Sequence, residues 1–178
     1  GWNTDKVIQM TSMFNGCESL KDMSPLKSWD VSNIRSMEGM FKNCSSLESI
    51  SDLSEWKISD GMIMDSMFES CEWLEEYPDN FKIRILKNYD ENPDIYQKVI
   101  DELDESFFRR HNLNDFDEKN QFFIVESLTN QSILAYIVDR SKFKHIQHVA
   151  LEKIIDEVCR TYGVNSDDLR SQKSRRAK

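Results

Sequence analysis

The residues whose types could do chemistry are few, and their spacing groups them poorly. His111, His145 and His148 are the only histidines. His145 and His148 are i, i+3 on an expected helix, a geometry that can hold a metal. No carboxylate in the same turn completes such a set, so packing or exposed histidines are expected. Three of the four cysteines, Cys17, Cys44 and Cys71, recur at a fixed step, and the fourth is Cys159. With no Cys-x-x-Cys pair and no histidine beside them, they read as small buried hydrophobes rather than zinc ligands or disulfides. Asp101, Glu102, Asp104 and Glu105 read as the solvated face of a helix. No Ser-His-Asp, Cys-His or paired-carboxylate arrangement follows from spacing. The expectation is therefore no catalytic residue, no metal and no cofactor.

The elements that would position any site are dominated by a repeat. Trp2, Trp29 and Trp56 are 27 residues apart, and the same step relates Met10, Met37 and Met64. It also relates Met13-Phe14, Met40-Phe41 and Met67-Phe68, the three cysteines, and Leu20, Leu47 and Leu74. A period of 27 falls in the range of leucine-rich solenoids, whose turns bury their apolar face only against one another. Within a unit, Met37, Met40, Phe41 and Cys44 have the 3 and 4 spacing of a short helical face, and Leu47, Ile50 and Leu53 suit a short extended segment. Three parallel coils are expected over residues 2–80, each with one helix and one strand, ending at Tyr77-Pro78-Asp79-Asn80.

Columns that recur in every unit read as core. The positions that vary between units are the binding candidates: Glu18, Ser19, Lys21 and Asp22, then Ser45, Ser46, Glu48 and Ser49, then Glu72, Trp73, Glu75 and Glu76. Among these, Ser46, Glu48, Trp73 and Glu75 are taken as the partner-binding residues, Trp73 standing where the earlier units have serine. Residues 1–80 carry a net charge of -9 and the last eight residues +4. An acidic repeat repels phosphate backbones, so nucleic acid is not an expected partner. The basic tail over 171–178 reads as a solvated end. No stretch approaches the roughly 20 apolar residues of a membrane span.

The unit Trp29-Asp-Val-Ser-Asn-Ile34-Arg-Ser-Met37-Glu-Gly-Met40-Phe41-Lys-Asn-Cys44-Ser-Ser-Leu47 resembles the BspA-like leucine-rich repeats, a surface-protein repeat of about 26 residues. The resemblance covers residues 2–80. It implies a curved solenoid used for adhesion or other protein binding, and a cell-surface or secreted location.

Beyond the repeat, Phe81-Lys-Ile83-Arg-Ile85 alternates apolar and charged residues and reads as a strand. Asn92-Pro93-Asp94 reads as the start of a helix continuing through Ile95, Val99, Leu103 and Phe107. A polar loop over 109–120 follows, then a hairpin from Phe122-Phe-Ile-Val125 through Thr129-Asn-Gln-Ser132 to Ile133-Leu-Ala-Tyr-Ile-Val138. A last helix runs from about His145 to Tyr162, with Gly163 as its stop. That order resembles the opening of the GNAT acetyltransferases, with Lys142-Phe-Lys-His145-Ile-Gln147 at their pyrophosphate loop. His145 and Gln147 stand where that loop needs glycine for close phosphate approach, so no acetyl-coenzyme A site is expected. Val158 to Tyr162-Gly-Val and Asp168-Leu-Arg-Ser-Gln-Lys-Ser-Arg-Arg resemble the start of the DnaA DNA-binding domain.

The sequence thus predicts an α/β leucine-rich-repeat solenoid of three coils over 1–80, a small α+β unit over 81–170 that covers its end, and a basic tail over 171–178. The function it predicts is a non-enzymatic protein-interaction or adhesion module. The alternative is a GNAT-type acyltransferase with a repeat-based recruiting arm.

Overall fold

A computed structural model describes residues 2–88, 93–167, 169 and 170. The chain divides into two compact units, Gly1–Glu102 and Leu103–Lys178. The basic tail, Asn92 as a helix cap, and Asp168 with the tail end of the DnaA likeness lie outside the described residues.

The first unit begins with three stacked turns in parallel register. Isolated bridges link Gln9 to Ser36, Ser36 to Ile63 and Ser49 to Glu76, each 27 residues apart. Each turn donates backbone N–H groups to the next: Met10 to Ser36 at 2.9 Å, Ser12 to Glu38 at 2.8 Å, Phe14 to Met40 at 2.9 Å and Gly16 to Lys42 at 2.8 Å. The second turn repeats the set onto the third, from Met37, Gly39, Phe41 and Asn43 to Ile63, Asp65, Met67 and Glu69. Side chains follow the same step. Phe14, Phe41 and Phe68 stack with centroids 5.5 and 5.8 Å apart. The Cys44 and Cys71 thiols donate to the carbonyls of Phe14 and Phe41, and the Trp56 indole donates to the Leu26 carbonyl.

The α/β leucine-rich-repeat solenoid is nevertheless overturned. No α-helix and no strand occurs within the turns; only the short 3-10 segments Ser24–Leu26 and Ser51–Leu53 are regular. The reason lies in two left-handed residues per turn, four apart. Ser12, Gly39 and Ser66 have φ of 55°, 58° and 54°, and Gly16, Asn43 and Ser70 have 75°, 60° and 60°. An α-helix of L-residues cannot pass through them, since each left-handed position reverses the local winding. The chain makes a succession of tight turns instead, with Met40 N–H to Met37, Lys42 to Gly39, Cys44 to Phe41 and Leu47 to Cys44. Turns of three residues place apolar side chains inward at 3 and 4 spacing, which imitates a helical face in the sequence. The expected extended run through Leu53 is likewise a 3-10 segment over Ser51–Leu53.

After the turns come α1 (Asp79–Leu86) and α2 (Pro93–Asp101). Phe81–Ile85 is helical rather than a strand. Phe81 and Arg84 fall on one buried face at i, i+3, and Asp79 in the first turn suits the helix dipole. Phe81 packs edge-on to Phe68 at 5.7 Å and against Trp56 at 6.4 Å. The Arg84 guanidinium donates to the Met62 carbonyl, and Asn80 donates to the carbonyls of Leu53 and Trp56. The expected long helix through Phe107 is broken at 102–104, because Asp104 turns its carboxylate back onto the Phe107 N–H at 2.9 Å and caps a new helix.

The second unit is helical: α3 (Glu105–Arg110), α4 (Glu118–Ser127), α5 (Gln131–Arg140) and α6 (Lys144–Tyr162). The hairpin expected over 122–138, and with it the α+β unit, is overturned. Asp117 caps α4 through the Asn120 N–H, and Asn130 caps α5 through those of Ser132 and Ile133. Gln121, Ile124, Val125 and Leu128 then form one buried stripe at i, i+3, i+4 and i+7. Both strands that carried the GNAT likeness are therefore helices. The expected last helix is present as α6 and stops at Gly163, with φ 64°; it packs along α5 and α4. The Lys153 ammonium closes the end of α4 on the carbonyls of Val125 and Glu126.

Candidate functional site

The partner-binding residues read from the sequence lie on the second and third turns. Ser46 and Trp73 occupy one column and Glu48 and Glu75 another, so each pair sits on neighbouring turns, which strand-like pairing spaces about 4.8 Å apart. The nearby Ser49–Glu76 bridge holds that register. Ser46 is half-buried, whereas Glu48 and Glu75 are exposed. Glu48 meets Lys21 of the first turn at 3.5 Å. Glu75, one turn further along the same column, has no ion pair among the described residues.

Trp73 is 64% exposed. Leu74 beside it is fully buried and fixes the backbone, so the indole is held outward by a packed neighbour. Glu72, Glu75 and Glu76 around it are all exposed. The arrangement offers an apolar ring face bordered by carboxylates, which can take a flat or cationic group.

Burial pushes the Cys44 thiol up to about 11 and raises that of Cys71 as well, which makes both poor nucleophiles. His145 stacks on Phe122 with centroids 5.9 Å apart, while His148 is exposed. Among the described residues, no group of three His, Cys, Asp or Glu is placed to hold a metal. No helix among them is long and apolar enough to cross a membrane.

The first and second turns differ in exposure. The first turn uses the same residue types as the second, yet Trp2 is 71% exposed, Met13 37% exposed and Cys17 exposed, while Met40 and Cys44 are fully buried. Nothing in the repeat pattern distinguishes these positions.

No curated protein and no solved structure matches this chain. The BspA-like, GNAT and DnaA likenesses are not among the matches found. A family model described as "Mycoplasma protein of unknown function, DUF285" matches residues 1–103. That span contains all three turns with α1 and α2 and is more than half of the 178 residues. The chain belongs to this family.

Proposed function

We propose that this chain is a non-enzymatic protein-interaction module, of the kind used in adhesion or assembly, and that it engages its partner through the outward row of Ser46, Glu48, Trp73 and Glu75. The observation that carries this reading is Trp73, a large aromatic 64% exposed on an anchored backbone. Isolated exposed indoles cost solubility, and tryptophan is the residue most enriched at interface hot spots. The carboxylates of Glu72, Glu75 and Glu76 select the partner's chemistry: a segment presenting Arg or Lys, whose cation lies over the ring while its neighbours meet the acids. The acyltransferase alternative has no support, because its strand pair is helical.

The test is fluorescence anisotropy of a labelled Arg-containing peptide titrated with the full chain, alongside an acidic control peptide. Truncating a hot-spot tryptophan costs about 2 kcal/mol or more, so Trp73→Ala should weaken binding about 30-fold. Glu75→Lys should weaken it further at low salt than at high salt. Equal affinity for both peptides, or unchanged affinity in both variants, would remove this surface from consideration.

A further inference from the structure

We infer that the cavity between the third turn and α2 is a binding site for a small neutral molecule with an apolar body and one hydrogen-bond acceptor. The cavity measures about 150 Å³ and lies wholly within the first unit. Phe68, Cys71 and Tyr77, each 4% exposed, wall it from the third turn, and Ile95 walls it from α2. The exposed residues Glu72 and Lys98 stand at its edge. Apolar walls with a few placed polar groups are the usual make-up of small-molecule sites.

The polar group in the buried wall that is left to act is the Tyr77 hydroxyl. The Cys71 thiol already donates to the Phe41 carbonyl at 3.1 Å. The Tyr77 hydroxyl has no hydrogen-bond partner among the described residues. Burial raises its pKa, so it keeps its proton and remains a donor. A donor on so buried a residue is costly while it lacks an acceptor, and a ligand carbonyl removes that cost.

The surroundings select the rest of the ligand. A cavity of about 150 Å³ equals the liquid volume of ~5 waters, yet each buried water needs about two to four polar partners. The buried wall offers one donor. Water there is weakly held, and its displacement by an apolar body gains affinity. At the rim, Lys42 lies 2.8 Å from Glu69 and offsets that carboxylate. Lys98 and Glu72 are then opposite charges at one edge, so neither an anion nor a cation gains over a neutral molecule.

Cyclopentanone, an apolar ring bearing one carbonyl, meets these terms and serves as the probe. The full chain, labelled with nitrogen-15, is titrated while the backbone amides of Ser70, Cys71 and Tyr77 are followed by NMR. Saturable shifts are expected there. Cyclopentylammonium, a similar ring without an acceptor, should bind about tenfold more weakly or worse. Tyr77→Phe removes the hydroxyl alone and should weaken cyclopentanone binding about fivefold. Ile95→Trp fills the cavity and should abolish saturation while the helical circular dichroism is retained. Shifts that stay linear in cyclopentanone, equal binding of the amine, or unchanged affinity in Tyr77→Phe overturn the inference. So does saturation that survives Ile95→Trp. The two-probe comparison and Tyr77→Phe decide the matter even where Ile95→Trp fails to fold.

Discussion

Phe41 is fully buried and sandwiched between Phe14 at 5.5 Å and Phe68 at 5.8 Å. Truncation to alanine removes about 150 Å² of buried apolar surface, which at about 25 cal/mol per Å² is about 4 kcal/mol. The same change at Phe14, half-buried with one ring face uncovered by a preceding turn, should cost about half as much, ~2 kcal/mol. All four tryptophans, Trp2, Trp29, Trp56 and Trp73, lie in the first unit, so their fluorescence follows its unfolding separately from the helices of the second. With a urea slope of about 1.5 kcal/mol per M, Phe41→Ala should lower the midpoint by ~2.5 M and Phe14→Ala by ~1.3 M. A loss of this size is a large fraction of a domain's typical stability of about 5–15 kcal/mol. Midpoints falling equally in the two variants would refute the idea that stacking from both sides distinguishes interior from end. A shift below about 0.7 M for Phe41→Ala, equivalent to about 1 kcal/mol, would place that ring outside the core.

In the second unit, the buried Gln121 amide donates to the carbonyls of Leu113 and Phe116, both at 3.0 Å, and accepts from the Ser141 hydroxyl at 2.7 Å. Gln121→Leu strands three buried polar groups and should cost ~3 kcal/mol or more by thermal denaturation followed at 222 nm; a neutral effect would mean those groups find other partners. Asn130→Ala, which removes the cap of α5, should cost ~1 kcal/mol in the same assay, and Asn130→Asp should restore most of it. Burial raises the Cys44 thiol to about 11, so the fold keeps it protonated where the unfolded chain ionises. Stability should hold below about pH 8.5 and fall as pH rises toward 11, and Cys44→Ala should flatten that decline; an unchanged slope would show the thiol to be irrelevant.

The repeat was legible because a packed stack requires the same inward residue types at every step, and six such columns share one register. Its local conformation was not legible. Met37, Met40, Phe41 and Cys44 satisfy a helical face and a succession of three-residue turns equally well. The deciding positions are Ser12, Gly39, Ser66, Gly16, Asn43 and Ser70, whose left-handed backbone is carried by residue types that are ordinary in loops. Only two of the six are glycine, so no invariant marker announces the turns. Beyond residue 80 the error ran the other way. Short apolar runs such as Phe122–Val125 fit either period, and the caps that settle the matter, Asp117 and Asn130, resemble turn residues when read alone. Gln121, a polar residue at the start of the α4 core stripe, is buried with its amide hydrogen-bonded to Leu113, Phe116 and Ser141.

The candidate site divides along the same line. Trp73 was singled out because it departs from its column, and departure from a repeat is visible in a single sequence. The face formed by Trp2, Met13, Phe14 and Cys17 was invisible because those residues obey the repeat. After the third turn the stack is met by Phe81, Arg84 and Asn80 of α1. In a stack of identical turns, then, chemistry that distinguishes one turn from the next has to sit outward, as Trp73 does.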